Sequence, residues 1–106
     1  MDGPVVNLAA ENMVRRTPDH IVAMDEADLN YIRDSLTAID QAFGVAALPD
    51  IPLHLVPART LMRCLVDLRT GLKPQTQEQG IILGRLAGAI LRLDTAVAFD
   101  RARRKQ

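Results

Sequence analysis

The sequence predicts an all-α protein, a three-helix arrangement with a long C-terminal helix and an irregular N-terminal arm. Three observations carry that expectation. Apolar residues recur at steps of three and four over three separate stretches. Residues that start and stop helices bracket each stretch. Only 3% of the 106 residues are aromatic and none is Trp, so the core has to be built from Leu, Ile, Val, Ala and Met, a composition usual in helix bundles.

Residues 1–24 read as the arm and residues 25–106 as the helical domain. Pro4 and Pro18 limit any helix between them to a few turns, and Asn7 is placed to cap a short piece through Arg15. The first secure helix opens at Asp25, an N-cap type residue, with Glu26 and Asp28 in the positively polarised first turn. Met24 and Leu29 stand where a hydrophobic staple pairs. Leu29, Ile32, Leu36, Ile39 and Phe43 then form one stripe, and Gly44 stops the helix. Ala46 to Pro57 contains Pro49, Pro52 and Pro57 and reads as a linker. Its Leu53–His54–Leu55 alternation has no second strand to pair with.

The next helix runs from about Pro57 to Thr70 with Gly71 as its stop, and Leu61, Cys64, Leu65 and Leu68 share a face flanked by Met62 and Val66. The last opens with the Thr76–Gln79 capping-box spacing and continues to about Arg104, near 40 Å at ~1.5 Å per residue. At about 100° per residue, Ile82, Leu83, Leu86, Ala89, Ile90, Leu93 and Val97 gather into a broad core face. A second, smooth stripe of Gly80, Gly84, Ala87, Gly88, Leu91, Thr95 and Ala98 lies across the wheel. Each interior glycine costs a helix ~1 kcal/mol relative to alanine, so three within nine residues call for compensation. Small residues four apart admit the close approach of another helix. That helix belongs to the same monomer, to a dimer mate or to a different protein. Arg85 and Arg92 would rim such a contact.

The chain has room for one domain, and 48% apolar residues suffice for a core. Domains of this size often gain from oligomerising, which makes a homodimer an expectation. A lone cysteine, Cys64, cannot form an internal disulfide, in keeping with a reducing compartment. The N-terminus lacks the pattern of a signal peptide. Arg85, Arg92 and Asp94 interrupt the most apolar stretch well short of the ~18 uncharged residues that a membrane span needs. A cytoplasmic protein with no membrane contact is expected.

Thirteen acids and thirteen bases cancel, yet Met1 to Asp50 hold nine acids and three bases while Ile51 to Gln106 hold four acids and ten bases. The basic half either faces nucleic acid or lies against the acidic helix of its own chain or a dimer mate. Net neutrality argues for the second. The tail of Arg101, Arg103, Arg104 and Lys105 is the best nucleic-acid candidate, although cations at a helix C-terminus also oppose its dipole without any ligand.

No catalytic, cofactor-binding or metal-binding residue is assigned. His20 and His54 lie in irregular segments without a ligand at metal spacing and read as surface histidines. Cys64 sits on an apolar stripe and reads as a core thiol. Thr76 to Gly84 has the look of a helix-turn-helix opening, but Arg85 to Leu93 continues the same helical period and leaves no recognition helix.

The acidic capped helix, the Pro-rich connector, the Leu61 to Leu68 helix and the long GIILGRLAGAILRL helix together resemble the small helical antiactivators of bacterial quorum sensing, the QslA type. The resemblance spans the whole chain in length and layout. It implies a non-enzymatic regulator that binds a LuxR-type transcription factor and blocks its dimerisation or DNA binding. From the residues themselves, Leu61, Met62, Leu65, Gly80, Gly84, Ala87, Gly88 and Leu91 are the expected partner or dimer interface.

Overall fold

The computed structural model describes residues 3–105, with side chains described from residue 9 onward. Four α-helices follow one another: α1 (Gly3–Arg16), α2 (Glu26–Phe43), α3 (Ala58–Gly71) and α4 (Gln77–Arg104), with a 3-10 turn at Leu53–Leu55 in the connector. No strand occurs among the described residues. The all-α class and the long C-terminal helix agree with the periodicity. The N-terminal arm contains one helix beyond the three expected. It begins upstream of Asn7 and ends two residues before Pro18, which cannot continue it.

Helix α4 is the centre of the fold and packs against both α2 and α3, while α1 packs on α3. Its Leu86, Ala89 and Leu93 are fully buried, as are Ile32, Leu36 and Ile39 of α2 and Met62 and Leu65 of α3. Each large aliphatic side chain removed from water in this way contributes about 1.5–3 kcal/mol before the cost of ordering it. Ser35 is also buried in the α2 seam, its hydroxyl donating to the Tyr31 carbonyl at 2.8 Å, so it adds no unmet polar group.

The expected caps of α2 and α4 form. Asp25 accepts the Asp28 amide at 3.0 Å, and Gly44 adopts φ 65°, the left-handed conformation that glycine enters without strain, with its N–H on the Asp40 carbonyl. Thr76 accepts the Gln79 amide at 3.0 Å. The Gln79 side chain accepts from Gln75 N–H at 2.7 Å and donates to the Ala42 carbonyl at 2.9 Å, so the start of α4 is tied to the end of α2. Helix α3 ends without a left-handed glycine, because Gly71 is still helical and Leu72 turns extended ahead of Pro74.

The remaining helix ends are satisfied by groups remote in sequence. The last four carbonyls of α1 have no partner within the helix. Thr17 meets two of them, its hydroxyl donating to Met13 at 2.8 Å and its amide to Val14 at 3.1 Å. Arg59 of α3 donates to the Arg15 carbonyl at 3.2 Å and to the Thr17 carbonyl at 2.9 Å, and Arg101 of α4 donates to the Arg16 carbonyl. In return the segment after α1 caps α3. Pro57 has no side chain able to accept a bond, and the first amides of that helix, Ala58 and Arg59, donate to the carbonyls of His20 and Pro18 at 2.8 and 2.9 Å. Each of the two termini completes the other.

This exchange predicts that Arg59→Ala loosens α1 more than the rest of the molecule. Two charge-assisted bonds are lost at a partly exposed site, so the urea midpoint should fall by the equivalent of roughly 1–2 kcal/mol. Amide exchange should accelerate first at Val14 to Thr17. Uniform acceleration across all four helices would contradict the assignment.

Candidate functional site

Helix α4 has more apolar surface than α2 and α3 can cover. With Leu86, Ala89, Leu93 and Val97 turned inward, the opposite side of a continuous helix must face outward. On that side Ile81, Leu91 and Phe99 are exposed to 63%, 65% and 67%. Along the same side Gly84, Thr95, Ala98 and Ala102 are also exposed. Ile81, Gly84, Leu91, Thr95, Ala98 and Ala102 advance in steps of three, four or seven, the spacing by which one helix keeps a seam toward another. Singly exposed apolar residues are ordinary, whereas a row of them along one helix is the form a protein-contact surface takes.

The structure does not bring the eight residues expected at an interface together on one surface. Gly84 and Leu91 lie on the open face, with Ala87 half-buried at its edge. Gly80 is half-buried beside Pro74. Leu61, Met62 and Leu65 do not belong to any surface: at 2%, 0% and 0% exposure they are the α3 side of the core. The amphipathic period placed them correctly on one stripe but could not say that α4 already covers it. Ile81 and Phe99 join the face instead. Their signal in the sequence was large apolar side chains on the edge of the glycine stripe.

The glycines of the stripe differ in purpose. A methyl group on Gly88 would stand 2.5 Å from the Tyr31 hydroxyl and 3.1–3.2 Å from its ring, so Gly88 makes room for a side chain of α2. Arg92 lies 4.0 Å above the same ring and Arg85 5.9 Å from it, a cation–π arrangement that fixes the ring in place. Arg92 also pairs with Asp28 of α2 at 3.0 Å. Both arginines therefore brace the α2–α4 seam along the border of the open face. A methyl on Gly84, by contrast, would meet nothing within 4 Å.

At the C-terminal end of α4, Asp100 is a buried acid that gathers charge. His20 donates to its Oδ2 at 2.9 Å, Arg104 donates to the same atom at 2.9 Å, and Arg103 stands 3.9 Å from Oδ1. The His20 hydrogen bond, then that of Arg104, hold the carboxyl below the usual range. His20 is thus a fastener between the N-terminal segment and α4 rather than a surface histidine. Its partner lies eighty positions away, beyond the reach of any spacing rule. Burial pushes the Cys64 thiol up, and its Sγ lies 3.5 Å from the Ala47 carbonyl, a setting that disfavours the thiolate.

Fold and surface together define a small all-helical protein with one long, partly apolar helix face left to solvent. Compared with protein-family models, curated proteins and solved structures, the chain matches none.

Three substitutions test these contacts. Gly84→Ala should stabilise the chain by about 0.5–1 kcal/mol, since helix propensity improves and nothing is struck. Gly88→Ala should instead cost about 1 kcal/mol net, because crowding the braced Tyr31 outweighs the same gain. Asp100→Asn should lower the urea midpoint at neutral pH. A depressed carboxyl stabilises the fold above its unfolded value of about 3.9 and ceases to do so as pH falls through its folded value. The gap between mutant and wild type should accordingly close in the acid range, and a gap that persists there would exclude this ionic contribution.

Proposed function

We propose that the chain is a non-enzymatic, cytoplasmic regulator that lays the open side of α4 against an apolar surface of another protein. The carrying observation is the row of exposed Ile81, Leu91 and Phe99 around the small residues Gly84, Thr95 and Ala98. A partner helix can approach closely over the small residues while the three large side chains anchor it. Anchors of this kind beside arginines are typical of the energetic centre of a protein contact. The resemblance to quorum-sensing antiactivators supplies the partner class. On this reading the face masks a helix of a LuxR-type transcription factor and blocks its dimerisation or DNA binding. A homodimer through the same face would be its resting form, giving way to the partner.

The nucleic-acid alternative loses support from the arrangement of the cations. Arg59 is spent on the end of α1, Arg63 pairs bidentately with Glu11 at 3.0 and 3.1 Å, and Arg103 and Arg104 face Asp100. Phosphate contacts would have to compete with these bonds. No described helix is long and apolar enough to cross a membrane.

Co-purification with a LuxR-type regulator tests the reading. Leu91→Asp and Ile81→Asp alter exposed positions and should abolish capture, with circular dichroism and thermal midpoint close to wild type. Leu65→Glu buries a charge in the core and should fail to fold, so it marks structural damage. Capture that survives both surface variants would refute the proposed face. Light scattering over a range of concentrations reads the homodimer, and a monomer throughout would remove that part.

A further inference from the structure

The open face of α4 has two unlike borders, and the difference bears on what can lie across it. On one border Arg85 and Arg92 stand over the Tyr31 ring and Arg92 also pairs with Asp28, so both cations are engaged inside the molecule. On the other, the end of α1 comes alongside the last turns of α4. Arg16 and Thr17 share a depression there with Asp94, Ala98 and Arg101. Ala98 belongs to the open face, so the depression is continuous with it. Lys105 keeps a helical conformation one turn past Arg101 and extends the same side.

Arg16, Arg101 and Lys105 are exposed, and none of them forms an ion pair among the described residues. They differ in this from Arg63, Arg103 and Arg104, whose charges are met by Glu11 and Asp100. Asp94 offsets part of the charge and leaves an excess of cations. Arg101 donates to the Arg16 carbonyl. That bond holds the guanidinium beside α1, uses few of its five donors and leaves its charge uncompensated.

A partner that covers Leu91, Thr95 and Ala98 also takes water from these cations. Removing water from an unpaired cation is costly, and a carboxylate placed against it offsets the cost. A neutral or basic partner would leave the cations unpaired. Arg101 is already held in place, so it loses little side-chain freedom on meeting an acid.

We propose that the occupant of the α4 face is an amphipathic helix with an apolar stripe over Leu91, Thr95 and Ala98 and, at its end beside α1, acidic residues that meet Arg16, Arg101 and Lys105. The inference rests on the protein-contact reading of that face and adds the chemistry of the partner.

Labelled helical peptides of about 20 residues, ~30 Å long and so matched to the row from Ile81 to Ala102, provide the test. They share one stripe of Leu and Ala and differ at one end, which carries a cluster of Glu, of Gln or of Lys. In fluorescence anisotropy with the full chain, the Glu peptide should bind roughly fivefold more tightly than the Gln peptide, the scale of a few exposed ion pairs. The Lys peptide should bind more weakly than either, and the advantage of Glu should shrink at high salt. Arg16→Glu and Lys105→Glu should each reduce that advantage, whereas Lys73→Glu, an equal charge change in the turn before α4, should not. Lys105→Glu lies beyond the α1 contact and keeps the test decisive if Arg16→Glu disturbs that helix. Equal binding by the three peptides, with loss in Leu91→Asp, would overturn this proposal and leave the contact face standing. Absence of saturable binding by all three would overturn it too, while capture of the regulator reads the face independently. A DNA duplex that binds more tightly than the Glu peptide and is indifferent to Leu91→Asp would assign the cations to phosphate and overturn the acidic partner.

Discussion

The burial of one side of α4 is the constraint on which the rest of the structure depends. A core with almost no aromatic volume has to be filled by branched aliphatic side chains, which pack well only when helices lie close together. Leu86, Ala89 and Leu93 supply that contact to α2 and α3 at once, so a single helix organises both neighbours. A helix used in this way exhausts only part of its circumference. Its other side is fixed in place by the same packing and cannot turn inward. The exposed row from Ile81 to Ala98 is thus a mechanical consequence of the core, while its apolar character is a property of the sequence that the core does not require.

Part of the charge asymmetry of the chain is used in contacts between its two halves. Glu11–Arg63 and Asp28–Arg92 each join an acid of the first half to an arginine of the second, while the His20–Asp100 hydrogen bond links the halves in the opposite sense. The first two are exposed and contribute little energy individually. Their value is in orientation, because α1 and α2 approach α3 and α4 with complementary charge. The pair at Asp100 differs in being buried and shared with Arg104, and it sits where the N-terminal segment crosses α4. Together with Arg101 on the end of α1, it converts much of the basic tail from a candidate ligand site into a fastening.

The sequence made the main elements legible wherever the determining contacts are local. Asp25 and Thr76 cap helices through bonds to amides three residues on, and the Leu and Ile period of α2 and α4 identifies the faces that are buried. What escaped it was set by contacts between distant segments. Helix α1 carries little local signal, and its end is completed by Arg59 and Arg101, which no window around Arg16 contains. Helix α3 begins at a proline that cannot cap it and borrows carbonyls from Pro18 and His20. For the same reason Leu61, Met62 and Leu65 passed for a surface: periodicity identifies an apolar stripe but not which neighbour covers it. The glycine stripe was visible as a stripe, while the difference between its members depended on Tyr31, a residue from another helix.

That difference bears on the origin of the open face. Gly88 has an internal purpose, since the Tyr31 ring occupies the space a side chain would take. Gly84 has no such neighbour, and its lack of a side chain weakens α4 by about 1 kcal/mol with no return inside the monomer. Ile81 and Leu91 repeat the pattern, for each exposes a large apolar side chain that contributes nothing to the core. A glycine and two aliphatic residues on one side of one helix, all unfavourable for the isolated chain, become favourable together when a second helix lies across them. The glycine then allows close approach, and the aliphatic side chains leave water. On the proposed reading, another molecule completes the balance of free energy across this face.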